Sequence, residues 1–183
     1  PTAVPGSYKV RLSVGDQQQE KAFTILKDPR SSSSMEDLQQ QFDFVNNIQT
    51  TVSEAHQAIM DIRNIRKQMK SLTDRMKDNE DMKELMRMSE AIDSVMTEIE
   101  NELYQTKNQS RQDPLNFPIK LTNKLAHVAS LTGRGDFAPT QQAIAVKEEM
   151  EAKIKTQLKQ YYQLKEKKIP AFNQLFRQKS LDA

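Results

Sequence analysis

Cysteine and tryptophan are absent from the 183 residues, histidine occurs twice and glycine four times. Without cysteine there is no disulfide, no thiolate metal site and no thiol nucleophile. So few glycines argue against an all-β or Rossmann-type domain, which needs many glycine turns. No apolar run approaches the roughly 18 residues that a membrane span requires, so no span is expected. Neither charge sign dominates: 27 Lys+Arg face 25 Asp+Glu, for a net charge of +2. That balance offers no general field to attract nucleic acid or an anionic membrane. Hydrophobic residues make up 36% of the chain, below the roughly 45–50% usual in globular proteins. The length allows one domain or two small ones. The chain opens at Pro1 with no charged n-region and no apolar h-region, and so reads as a piece of something longer.

What is present falls into unequal parts. In residues 1–30, Tyr8, Val10, Leu12 and Val14 alternate with Ser7, Lys9, Arg11 and Ser13, the period of a strand with one buried face. Gly15-Asp16 supplies a turn, and Ala22 to Leu26 a second strand, ended by Asp28-Pro29. A two-stranded hairpin alone is marginal in water. It is expected to pack on the helices behind it, on upstream strands, or edge to edge with a second copy of the chain as a homodimer. Residues 31–34 form a polar serine linker, and Ser33 with Glu36 has capping-box spacing.

From residue 35 to 183 the period changes to threes and fours. Leu38, Phe42, Val45, Ile48, Val52, Ala55, Ile59, Ile62, Arg66, Met69 and Leu72 form one seam, broken by charge only at Arg66. A second stripe runs from near Asp78 through Met82, Leu85, Met88, Ile92, Val95, Ile99 and Leu103. The stretch 104–117 interrupts it, and a shorter helix restarts around Pro118. The last helix takes Pro139 in its first turn, carries Ile144, Met150, Ile154, Leu158, Tyr161 and Leu164, and kinks at Pro170. At 1.5 Å per residue the three rods come out nearly equal, at roughly 60 Å each. The expected fold is therefore mainly α: a long antiparallel up-down-up three-helix bundle with an interrupted middle rod and an N-terminal hairpin. Basic residues crowd the ends of the first rod (Arg63, Arg66, Lys67, Lys70, Arg75, Lys77) and of the third (Lys155, Lys159, Lys165, Lys167, Lys168). Acids at the start of the second (Asp78, Glu80, Asp81, Glu84) are expected to face them.

Few constellations suggest chemistry. His56 and His127 share no motif spacing with a carboxylate. Glu98, Glu100, Glu102, Glu148, Glu149 and Glu151 sit in runs, which read as solvated helix faces, and a slim bundle offers no sugar-sized groove between two acids. The Arg63–Lys77 cluster lacks interleaved aromatics, against nucleic-acid binding. Arg134-Gly135-Asp136 and the sequon Asn108-Gln109-Ser110 are short matches of low specificity. The outlier is Gln105–Leu125, where two prolines and several amides occupy a stretch that should be continuous. Gln112, Asp113, Asn116 and Asn123 are its candidate structural or contact residues. No catalytic residue, cofactor or metal ligand is assigned.

Pro5 to Leu12, Lys27-Asp28-Pro29-Arg30, Leu103 to Asn108, Gln112 to Ile119, Pro139 to Gln142 and Ile169 to Asn173 carry a family resemblance. Over essentially its whole length the chain resembles the C-terminal region of large bacterial proteins with sialidase-like, sortilin-type (BNR-repeat) β-propellers, often labelled glycosyl hydrolases. The resemblance implies that the hairpin closes an immunoglobulin-like or fibronectin-like sandwich whose other strands lie upstream. It also implies a secreted, periplasmic or cell-surface parent whose upstream domains are partners of this tail. The fragment itself is expected to be a non-catalytic spacer or interaction element, or else an accessory part of a glycoside hydrolase whose catalytic residues lie in the propeller.

Overall fold

The computed structural model describes residues 1–75 and 79–181 and is mainly helical, with an N-terminal antiparallel hairpin. Lys77 and Asp78 of the expected charged ends lie outside the described residues. Strands β1 (Gly6–Val14) and β2 (Gln17–Ile25) pair in one register from Gly6↔Ile25 to Val14↔Gln17. Gly15 takes the first central turn position with φ 58°, while Asp16 keeps a negative φ, the pattern of a II′ hairpin turn. Tyr8 stacks on its cross-strand partner Phe23 at 5.9 Å between centroids.

The expected buried face of the hairpin is not buried in this chain. Every residue from Lys9 to Thr24 is exposed, including Val10, Leu12, Val14 and Phe23. Only the base approaches the helices, where residues 2–5 and 25–28 share a small cleft with Leu38, Gln41, Gly135 and Asp136.

Helix α1 (Met35–Asp74) runs for 40 residues. Its cap is Ser34 with Asp37, one residue later than the Ser33–Glu36 spacing suggests. Ser33 is buried instead, so its side chain is not the one that turns back on the first helical amides. After a 3-10 turn at Glu80–Met82, α2 (Lys83–Leu103) follows. Helix α3 (Leu121–Thr132) begins three residues after Pro118, because Lys120 is still extended. Helix α4 (Gln141–Gln163) is capped by the Thr140 hydroxyl, which accepts the Ala143 amide at 3.1 Å. Pro139 therefore lies outside its first turn. The irregularity expected at Pro170 starts earlier, as a π turn over Leu164–Lys168 that leads into α5 (Ile169–Leu181). The Ile169 amide reaches back five residues to the Leu164 carbonyl. That wider turn eases a proline, which has no amide to give, into the second position of α5.

One core joins the helices. Helix α1 packs on α2, α3 and α4, and α2 also meets α4 and α5. Ile48, Ala55, Ile62, Met96, Ile99, Leu103, Leu125, Ile154 and Tyr161 are at most 1% exposed. Each buried aliphatic chain of this size contributes about 1.5–3 kcal/mol relative to exposure. Of the expected α1 seam, Val45, Ile48, Ala55, Ile59, Ile62 and Met69 are buried, with Gln41, Phe44 and Ala58 as additions, while Leu38, Phe42, Val52, Arg66 and Leu72 are half-buried. Cross-helix pairs give the running directions. Arg63 meets Glu100 and Arg66 meets Asp93, so numbers ascend in α1 as they descend in α2. Thr51 meets Glu151 and Asp61 meets Tyr161, so α1 and α4 ascend together.

The charge that breaks the α1 seam has a purpose in the packing. Arg66 sends its guanidinium to Glu100 at 2.7 Å and to Asp93 at 2.6 Å, and Arg63 holds the other Glu100 oxygen at 2.7 Å. Glu100, expected on a solvated face, is 5% exposed. Its charge is tolerable there because two guanidinium groups bind it. Arg63 also lies over the Tyr104 ring at 5.4 Å. Of the expected acids at the start of the second rod, Glu84 pairs with Lys179 at 4.0 Å, a lysine outside the expected clusters, whereas Arg63 and Arg66 pair with the interior of α2 and Lys165 with Asp61 of α1. Arg66→Met leaves a buried carboxylate with one partner and strips Asp93, and is expected to cost about 3 kcal/mol. Arg63→Met, at a half-exposed guanidinium, is expected to cost about 1 kcal/mol. Urea midpoints of the two variants check this ranking, and equal losses would refute it.

Candidate functional site

Helix α2 stops at Leu103 because Tyr104 turns extended, and the carbonyls left at a helix end need partners. Thr122, 1% exposed in the first turn of α3, donates its hydroxyl to the Leu103 carbonyl at 2.8 Å. Gln105, also buried, donates its amide nitrogen to the Pro118 carbonyl at 2.8 Å and accepts the Lys107 amide on its oxygen. These two side chains tie both ends of the interruption together. The loop between them is organised by a third residue.

Asp113 is that residue. Its carboxylate accepts the Gln109 amide, the Ser110 amide at 2.8 Å and the Ser110 hydroxyl at 2.7 Å. The Ser110 hydroxyl, followed by the two amides, holds the carboxyl below its ordinary range. Asp113 also opens the 3-10 turn Asp113–Leu115, with Pro114 in its first turn.

The other expected residues are less engaged. Gln112 and Asn116 flank that turn through their backbones, both exposed, and Asn123 is exposed in α3. Their side chains make no hydrogen bond among the described residues, so Asn116 and Asn123 do not satisfy the backbone groups freed by the break. Gln105 and Thr122 do that work. The clue was present in the sequence as amide and hydroxyl residues beside prolines, but the spacing does not say which of them turn inward.

A cavity of about 460 Å³ opens where the two ends meet, lined by Asn101, Glu102, Gln105, Thr106, Lys107, Phe117, Pro118, Ile119, Lys120, Leu121 and Lys124. Lys107 sits over the Phe117 ring at 5.8 Å, and Lys120 reaches Glu102 only at 3.9 Å. At the other end of α3, Gln41 is buried and its amide nitrogen faces the carbonyls of Thr132, Gly135 and Phe137 within 3.1 Å. Arg134-Gly135-Asp136 thus forms the closing turn between α3 and α4, with Gly135 at φ 83°. An apolar cavity of about 480 Å³ borders it, with Leu131, Phe137 and Val146 partly exposed.

A polar cluster also joins α1 to α4. The Asp61 carboxylate accepts the Tyr161 hydroxyl at 2.7 Å, the Gln57 amide nitrogen at 2.9 Å and the Lys165 ammonium at 3.1 Å. The Tyr161 hydroxyl first, then Gln57 and Lys165, keep the Asp61 carboxyl below its ordinary range, while burial and then Asp61 push Tyr161 up. His56 is exposed and edge-on to Tyr104 at 6.2 Å, and His127 is exposed. Among the described residues no group of three or more His, Cys, Asp or Glu is placed to hold a metal ion, and no helix is long and apolar enough to cross a membrane.

A comparison with known proteins finds no matching protein family, no matching curated protein and no matching solved structure.

A lowered Asp61 pKa stabilises the fold above the ordinary carboxylate value, and that stability is lost as pH falls through the folded value. Tyr161→Phe removes the largest cause, so the Asp61 titration is expected to move upward and the loss of stability below about pH 4 to flatten. Carboxyl-detected NMR titration with urea midpoints at neutral and acid pH checks both.

Proposed function

We propose that the chain is a non-catalytic helical module, a spacer or protein-contact element at the C-terminal end of a large bacterial propeller protein. Its helices form an up-down-up three-rod bundle, and its hairpin supplies closing strands to an Ig-like or fibronectin-like sandwich completed by upstream domains. The parent is secreted, periplasmic or at the cell surface. The antiparallel run of α1 against α2 and the parallel run of α1 with α4 support the bundle.

The observation that carries the module reading is the uncovered hairpin. Val10, Leu12, Val14 and Phe23 are 47–68% exposed on an 18-residue, two-stranded sheet with both edges open. Two strands do not hold such a face in water without help. A sandwich completed upstream pairs a hairpin edge within one sheet and covers the apolar face with the opposing sheet. Two hairpins pairing edge to edge would leave the apolar face in solvent.

Hydrogen exchange separates these covers. In the chain alone, amides of residues 6–25 are expected to exchange rapidly while those of α1 stay protected. In the longer parent the same amides are expected to become protected. Leu12→Thr is expected to change the stability of the chain alone by no more than about 0.5 kcal/mol, and that of the parent by about 2 kcal/mol. A hairpin that stays unprotected in the parent overturns the proposal. Protection that appears in the chain alone only as concentration rises assigns the cover to a second copy.

A further inference from the structure

We propose that the interruption between α2 and α3 is a binding site for a small oxyanion, the carboxylate or phosphate group of a soluble ligand. The site is independent of whatever covers the hairpin. Three lysines from three segments line one cavity of about 460 Å³: Lys107 beyond the end of α2, Lys120 before α3, and Lys124 within α3. Among the described residues Glu102 is the only carboxylate in that lining, and it meets Lys120 at 3.9 Å, the far limit of an ion pair. Lys107 and Lys124 make no ion pair among the described residues. Lys124 lies in the field of Glu149, whose own close partner is Lys153.

What sets this arrangement apart is that three lysines line one cavity. Elsewhere some cations are matched locally, as in Lys153 with Glu149, Lys147 with Glu151 and Lys165 with Asp61, while others, such as Lys67 and Lys159, stand exposed on a helix and line no cavity described above. Here three positive groups meet one negative group in a concavity, where the field of like charges adds. The backbone beneath them is held in place. Gln105 bonds both the Lys107 amide and the Pro118 carbonyl, and Thr122 ties α3 to the end of α2. An anion entering the cavity would meet lysines whose anchor points are already set, so little backbone ordering has to accompany binding. The cavity admits a small ligand, and the Phe117, Pro118 and Ile119 wall suits a compact carbon skeleton behind the charged group.

The test uses the full chain at low ionic strength, titrated separately with inorganic phosphate and with acetate and followed by amide NMR. Saturating shifts are expected at residues 105–107 and 118–124. Lys107→Gln and Lys124→Gln are each expected to weaken binding about fivefold, with Lys155→Gln as a distant control that leaves it unchanged. All three positions are exposed, so an otherwise unaltered spectrum shows that the fold is kept. Tighter binding of phosphate than of acetate identifies a doubly charged group as the ligand. Shifts that do not saturate, that spread equally to Lys153, Lys155 and Lys159, or that survive both cavity substitutions overturn the proposal.

Discussion

Helix α1 runs for 40 residues with apolar side chains along its whole length, and its neighbours are arranged by the need to cover that stripe. A single helix of this kind is only marginally stable in water, because most helical stability comes from packing an apolar face. Helices α2 and α3 cover part of it and α4 covers another part, so one continuous core results. The interruption at 104–120 follows from the same demand. The chain leaves the helical path between Leu103 and Leu121, yet both of these residues stay buried in the common core.

Four of the buried polar side chains have a partner waiting. Glu100 has two arginines, Thr122 has the Leu103 carbonyl, Gln105 has Pro118 and Lys107, and Gln41 has the carbonyls of the α3–α4 turn. Apolar contact is nondirectional and tolerates sliding of one helix past another. These bonds do not, since a small shift would leave a buried group unpaired at a cost of about 1–3 kcal/mol. They select one register from the several that amphipathic stripes alone would allow.

The hairpin stands outside this arrangement. Its strands meet their own register requirements through the Gly15 turn and the Tyr8–Phe23 stack, but its apolar face finds no surface among the helices. The helices have already used their stripes on one another. The chain therefore combines a part that satisfies itself with a part that does not, and only the second asks for a partner.

The element types were legible from residues 1–30 and 35–176, because side-chain period alone separates a strand from a helix. Arg66 was legible as a charge in an apolar seam, though not its answer, since Glu100 and Asp93 lie on another helix and local spacing sees only neighbours on the same one. The cap shifted from Ser33 to Ser34 for a similar reason: two adjacent serines offer the same chemistry, and the buried position of the first is decided elsewhere in the fold. At the candidate site, sequence marked the prolines and amides of Gln105–Leu125 and named Asp113, which does organise the loop. Tertiary structure alone decided that Gln105 and Thr122 turn inward and that Lys107, Lys120 and Lys124 share one cavity. Period and composition act along the chain, whereas burial and charge convergence depend on segments that the chain brings together only after the helices have packed.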